Sequence, residues 1–124
     1  MPFEADPGTQ TDYTKPVQSF TTGTDEKFVR FYNLTGNSGE LGSWVMKESD
    51  IVGLSPAQIK NKYALPEMPT HIVDVIVPKD TKVYKGTAGK VVNDGVLWGN
   101  GGGSQFQLQT RIPAENYTNS RPIQ

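Results

Sequence analysis

Cysteine is absent from the 124 residues, and histidine occurs once, as His71. The first absence excludes a disulfide framework and a thiolate zinc site. The second excludes a histidine-rich metal cluster and every mechanism that needs two histidines, so no metal site is expected. Neither sign of charge is in excess: 12 Lys and Arg stand against 13 Asp and Glu, a formal net charge of −1. Proteins that live on nucleic-acid phosphates carry a basic excess or patch. The balance argues against a long nucleic acid as partner, while leaving room for a nuclease whose positive charge is local. No apolar run approaches the roughly 20 residues of a membrane-spanning helix, and no basic-then-apolar leader opens the chain. The expectation is a soluble domain without a membrane anchor or an export signal of its own, carried by something larger if it is secreted.

Several chemical signatures are missing as well. The glycine run at residues 99–103 is not a phosphate-binding Walker loop, because neither Lys-Ser nor Lys-Thr follows it. Nor is it a dinucleotide fingerprint, since Ser104 stands where the last glycine belongs and no βαβ unit surrounds it. A Gly-x-Ser-x-Gly nucleophile elbow is absent too.

What is present is a single domain's worth of chain with 13 glycines, nine prolines, five Phe, five Tyr and two Trp. Residues 1–24 are polar, interrupted by Pro7 and Pro16, and read as an extended lead-in or linker; residues 25–124 read as the folded domain. Lys27 to Tyr32 is a short strand in which Phe28, Arg30 and Tyr32 share one face. That puts Arg30 on a face that is either solvent or a site. Turn formers fill residues 33–40, and Leu41 to Met46 reads as a second strand. Ser55-Pro56-Ala57-Gln58 supplies an N-cap serine, a proline at the first helical position and a glutamine three residues on. A helix then runs to about Lys62 or Tyr63 and ends before Pro66 and Pro69.

His71 to Val77 is the densest β-branched run and reads as a strand paired with Thr81 to Gly86. Thr87 to Val96 reads as a glycine-punctuated loop. After the glycine run, Phe106 and Leu108 alternate with Gln105 and Gln107, the period of a half-buried strand. Arg111 to Tyr117 suggests a last strand residue and a helical turn at Pro113. The fold class expected is α+β: a small single domain with a twisted, mostly antiparallel β-sheet and one or two short helices.

The candidate site residues each have two readings. His71 is the one side chain of a type that changes charge near neutral pH; it is a general acid/base or a hydrogen-bonded strand-end residue. Arg30 is a bidentate phosphate clamp or a surface arginine. Gln105, directly after three glycines, is a neutral donor and acceptor suited to a ribose or an amide, or a solvent-facing strand residue. Trp44, after Gly42-Ser43, is a stacking platform or core, and Trp98 has the same two readings. Glu48 and Asp50 are the nearest carboxylates to Trp44 in sequence.

In order along the chain, Val29-Arg30-Phe31, Leu41-Gly42-Ser43-Trp44, Pro69-Thr70-His71-Ile72-Val73-Asp74-Val75 and Gly101-Gly102-Gly103-Ser104-Gln105-Phe106 resemble the tuberculosis necrotizing toxin family. Its members are NAD glycohydrolase domains at the C-termini of large secreted bacterial proteins. The resemblance spans about Phe28 to Leu108, with GGGSQF its most specific part and Trp44 standing where the family usually has tyrosine. The wider pattern is similar to polymorphic and contact-dependent toxin domains. The resemblance implies an enzyme that hydrolyses NAD(P) at the nicotinamide–ribose bond, with NAD as substrate and no cofactor. It implies Arg30, His71 and Gln105 as catalytic residues, and Trp44, Ser43, Gly101, Gly102, Gly103 and Trp98 as substrate-binding ones. It also implies delivery into the cytoplasm of a target cell and a cognate immunity protein. Three alternatives remain open: an RNA-cleaving toxin with His71 as general base toward a 2′-hydroxyl, ADP-ribosyl transfer, and a non-catalytic binding module. The second is disfavoured because Gln105 and Gln107 stand where a transferase carries glutamate.

Overall fold

The computed structural model of the protein describes residues 17–34 and 40–123. Nine strands and one α-helix follow in chain order: β1 (Gln18–Thr21), β2 (Glu26–Tyr32), β3 (Trp44–Val45), α1 (Pro56–Tyr63), β4 (His71–Val77), β5 (Lys82–Thr87), β6 (Val91–Asn93), β7 (Val96–Gly99), β8 (Ser104–Leu108) and β9 (Tyr117–Pro122). Single 3-10 turns at Glu48–Asp50 and Ala114–Asn116 complete the set. The architecture is α+β with antiparallel sheets, as the alternation of the sequence leads one to expect. Among the described residues no helix is long and apolar enough to cross a membrane.

The strands form a four-stranded sheet in the order β1-β5-β8-β3, a three-stranded sheet β2-β4-β9, and the separate hairpin β6-β7. Met46, just past β3, exchanges two 2.8 Å backbone hydrogen bonds with Val29 in β2. Those two bonds join the larger sheets edge to edge. The inner faces enclose one apolar cluster: Phe28 and Tyr32 from β2, Val73, Val75 and Val77 from β4, and Val83, Phe106 and Leu108 from the other sheet. The opposite face of β2 and β4 carries Val29, Phe31 and Ile72, which pack with Met46 and with Ile59 and Tyr63 of α1 in a second cluster. The strict period of two in β2 therefore serves two cores at once.

α1 begins as its sequence dictates. The Ser55 hydroxyl accepts from the Gln58 backbone N–H, and the Gln58 side chain accepts from the Ser55 N–H. A cap of this kind is worth about 1 kcal/mol. Ala64, in the left-handed conformation at φ 50°, ends the helix.

Three expectations change. β4 does not pair with β5; it lies between β2 and β9, while β5 lies between β1 and β8. The segment Pro78 to Thr81 is a corner between sheets, fixed where Thr22 Oγ1 donates to the Pro78 carbonyl and accepts from the Thr81 N–H. The stretch read as a loop from Thr87 to Val96 is mostly a hairpin. Its turn is Asp94-Gly95, both at positive φ, which matches the right-handed twist of the flanking strands. Gln18–Thr21, expected in the lead-in, form β1 instead, which pairs with β5 over four residues, and Phe20 meets the Phe106 ring edge-on. Residues 1–16 and the middle of the turn-rich run, 35–39, lie outside the described residues.

The outer face of β4 is tied to β9 through Asp74. Its carboxylate accepts from Asn119 at 3.2 Å and from Arg121 at 3.1 Å, with Lys27 Nζ 3.7 Å away. Lys27–Glu48, by contrast, is a pair with both side chains nearly half exposed, and such pairs contribute little. Burial alone would raise the Asp74 pKa. The donors from Asn119 and Arg121, with the charges of Arg121 and Lys27, outweigh it and hold the carboxyl below its ordinary value. A depressed folded-state pKa contributes stability that is complete above the unfolded-state value and is lost as pH falls through the folded one. Asp74→Asn is therefore expected to lower stability at neutral pH, with the gap from wild type shrinking below about pH 4. Urea unfolding across pH measures this, and a gap independent of pH contradicts it.

Candidate functional site

The glycine run sits against the C-terminal end of α1. A helix leaves its last carbonyls without intrahelical donors, and here the run supplies them. Gly101 N–H donates to the Asn61 carbonyl at 2.9 Å and Gly103 N–H to the Lys62 carbonyl at 3.1 Å. Asn100 N–H donates to the Asn61 side-chain oxygen, and Gly102 N–H to the Ala88 carbonyl. Lys60 adds its ammonium to the Trp98 carbonyl at 2.6 Å. The amides of Gly101, Gly102 and Gly103 are thus occupied by protein carbonyls rather than presented to an anion. A side chain at Gly103 would place its Cβ 2.6 Å from the Tyr63 ring, so the glycine is what lets α1 lie this close.

β8 leaves this junction with Gln105 on the helix side. Gln105 pairs with Gly86, and Ala88 two residues on belongs to the cluster under α1, whereas Phe106 and Leu108 belong to the inner cluster. Trp44 pairs with Gln107, so Trp44 and Gln105 are diagonal neighbours on this same face. Gln105 is 0% exposed. The Trp44 indole N–H and the Tyr63 hydroxyl are both buried, with no hydrogen-bond partner among the described residues. Burial and the nearby charge of Asp50 push the Tyr63 pKa up strongly, so the phenol stays a neutral donor at any working pH. Trp44 and Gln105 thus lie on the sheet face whose neighbours Met46 and Ala88 pack with Tyr63, which brings three uncharged polar groups to the α1 side of β3 and β8.

Arg30 and His71 lie on the other face. Tyr32 pairs with His71 and Arg30 with Val73, which makes Arg30 and His71 diagonal neighbours on the inner side of β2 and β4. Arg30 is 1% exposed and not on solvent. Its guanidinium lies flat against Gly42, where any side chain would collide with it, and Nη1 donates to the Trp44 carbonyl at 3.1 Å. Tyr117 supports the same segment from below by donating to the Gly42 carbonyl at 2.8 Å. His71 is half-buried at the strand start, stacked on Tyr32, with Nδ1 2.8 Å from the Thr70 hydroxyl. That contact leaves Nε2 as the nitrogen available for other partners.

The four residues of the sequence pattern therefore form two pairs: Trp44 with Gln105 on the face toward α1, and Arg30 with His71 on the inner face of β2 and β4. The Arg30 bond to the Trp44 carbonyl connects them through the β3 backbone. Ser43 is buried, and its carbonyl accepts from Leu108 N–H. Trp98 is partly buried in β7 and engaged through its carbonyl. Glu48 and Asp50 sit in the 3-10 turn, Glu48 in the outer ion pairs with Lys27 and Arg121 and Asp50 with its carbonyl on Lys62. The sequence marks Tyr63 only as an end of the helix, and its hydroxyl is the functional group that reading leaves out. Among the described residues, no group of three His, Asp or Glu stands together to hold a metal.

The fold and site together define a small α+β domain with a neutral, buried polar seam between one helix and the edge where its two sheets meet. No protein-family model, no curated protein and no solved structure matches the chain.

Arg30 holds the backbone that carries Trp44, so its replacement is expected to act first on folding. Arg30→Lys keeps the charge but loses the planar fork, and a cost of about 2–4 kcal/mol is expected. Denaturant unfolding measures it; a variant as stable as wild type removes Arg30 from this structural role.

Proposed function

We propose that the domain hydrolyses NAD(P) at the nicotinamide–ribose bond, acting as the toxic part of a larger secreted bacterial protein. The observation that carries the reading is the neutral seam of Trp44, Tyr63 and Gln105 beside the glycine run. Two of its donors, the indole N–H and the phenol O–H, have no acceptor among the described residues. A carboxamide or ribose is a neutral ligand that accepts from such donors and gives a hydrogen bond back to a glutamine. A polyanion would meet the Lys62 ammonium, 5.8 Å from the Tyr63 ring centre, only together with the Asp50 charge that opposes it. The linear order of Arg30, Trp44, His71 and Gln105 and its resemblance to the toxin family support the same reading.

In this reading water adds to C1′ of the ribose as the C–N bond to nicotinamide breaks, giving ADP-ribose, nicotinamide and a proton released to solvent. Nicotinamide is a good leaving group, so the protein's contribution is positioning and stabilisation of an oxocarbenium-like state. Gln105 and Trp44 would contact the substrate. Arg30 would act through the β3 backbone. Because Gln105 is fully buried, the substrate would enter by parting α1 or the glycine run from β8. A cognate immunity protein that blocks this opening is part of the proposal.

The test is nicotinamide release from NAD, with tRNA integrity followed in the same sample. Wild type is expected to release nicotinamide and Gln105→Ala to lose it. Tyr63→Phe removes a buried hydroxyl without opening a cavity, so stability should hold or rise while the rate falls about tenfold, one hydrogen bond's worth. Absence of nicotinamide release at micromolar protein overturns the reading. Fragmented tRNA with intact NAD, abolished by His71→Ala, would establish the RNA-cleaving alternative in its place.

A further inference from the structure

We infer a separate binding site for a phosphate group on the inner face of the four-stranded sheet, in the pocket formed by Gln18, Lys85, Gly86, Thr87 and Ser104. The register builds it. Lys85 pairs with Gln18 on one side and with Phe106 on the other, and Thr87 pairs with Ser104. Lys85 and Ser104 therefore share the inner face with Val83 and Phe106, at the end of the sheet where the apolar cluster stops. The pocket is open and encloses about 190 Å³. Pockets for drug-sized ligands start at roughly 300 Å³, so this one suits a single charged group and not a whole dinucleotide.

Its chemistry selects an anion. Lys85 is exposed, and among the described residues no carboxylate lies within salt-bridge distance of its ammonium. The ammonium stands 5.8 Å from the centre of the Phe106 ring, a contact that fixes its position without cancelling its charge. Lys47 stands at the same distance from that ring, its own carboxylate partner Glu26 being 3.9 Å away. Two ammonium groups thus share one ring at this end of the sheet. The Thr87 and Ser104 hydroxyls and the Gln18 amide supply neutral donors around the Lys85 cation, the mixture that holds phosphate oxygens. The amides of the glycine run are engaged with α1, and Arg30 is enclosed, so neither competes for this role.

The phosphate group has two possible sources, free phosphate or the diphosphate of a dinucleotide, and both are tested directly. Inorganic phosphate, pyrophosphate and NAD are titrated separately into the 15N-labelled full chain. Phosphate is expected to shift the Gly86, Thr87 and Ser104 amides with a Kd on the order of 1 mM, weakened about tenfold by Lys85→Met and restored by Lys85→Arg. If pyrophosphate and NAD move the same amides, and Lys85→Met raises KM for NAD without lowering kcat, the source is the dinucleotide. If phosphate alone moves them, the site serves a free ion. Shifts spread over the surface lysines, or shifts unchanged by Lys85→Met, overturn the site. The binding arm needs no turnover, so failure of NAD cleavage and failure of the phosphate site are read separately.

Discussion

The docking of the glycine run onto the end of α1 is the contact on which the rest of the site depends. α1 has eight residues, too few to be stable alone in water. It persists because Ile59 and Tyr63 are buried and because its last carbonyls find donors in Gly101 and Gly103. The same amide bonds set where β8 starts, and the start of β8 decides which of its residues face the helix. A shift by one residue would put Phe106 under α1 and Gln105 among the inner valines. The run whose glycines the resemblance implies as substrate-binding thus functions as a C-cap supplied from a distant segment, and it fixes the position of Gln105.

A second constraint follows from the join between sheets. Val29 and Met46 hold β2 against β3, and Arg30, next to Val29, is turned inward by the strand period. A guanidinium in that position has to be enclosed by acceptors, because an uncompensated buried charge is far more costly than a lost surface contact. Gly42 gives it room and the Trp44 carbonyl accepts from it. The side chain that alternation alone places on either solvent or a site instead braces the strand bearing Trp44. This explains how an arginine and a tryptophan separated by a turn-rich loop belong to one unit while their side chains occupy opposite faces.

Much of the local structure was legible because its causes are local. Ser55-Pro56-Ala57-Gln58 names its own helix start, and the β-branched run from His71 to Val77 forms a strand of that length. Gln105 and Phe106 take opposite faces as alternation requires, yet both are buried, which the polarity of Gln105 does not suggest. What was not legible depends on partners far along the chain. The placement of β4 between β2 and β9 rests on Asp74 meeting Asn119 and Arg121 more than forty residues away. The hairpin after Thr87 was hidden because Val92, Val96 and Leu97 are exposed, so the usual alternation of buried and solvated positions is missing. Tyr63 was visible as an aromatic, but nothing in the sequence shows that its hydroxyl would be enclosed without an acceptor. The pairing of Trp44 with Gln105, and of Arg30 with His71, is a property of register and of sheet face, and both are decided by tertiary contacts.

The division of polar chemistry between the two faces has an energetic consequence. Enclosing the Trp44 indole N–H and the Tyr63 hydroxyl without acceptors costs about 1–3 kcal/mol each, against a typical total stability of only about 5–15 kcal/mol. Phenylalanine at either position would avoid the cost and fill nearly the same space at Tyr63. A seam that retains both donors is therefore poorly explained by packing alone and well explained by a ligand that accepts from them. A neutral acceptor fits, because the charges beside Tyr63, the Lys62 ammonium 5.8 Å from its ring centre and the Asp50 carboxylate, oppose each other. The cation needed for a phosphate stands elsewhere, at Lys85 on the inner face, where it remains hydrated and its charge is unopposed. The neutral seam and the Lys85 pocket thus lie on opposite faces of one β-strand, with Gln105 on one side and Ser104 on the other.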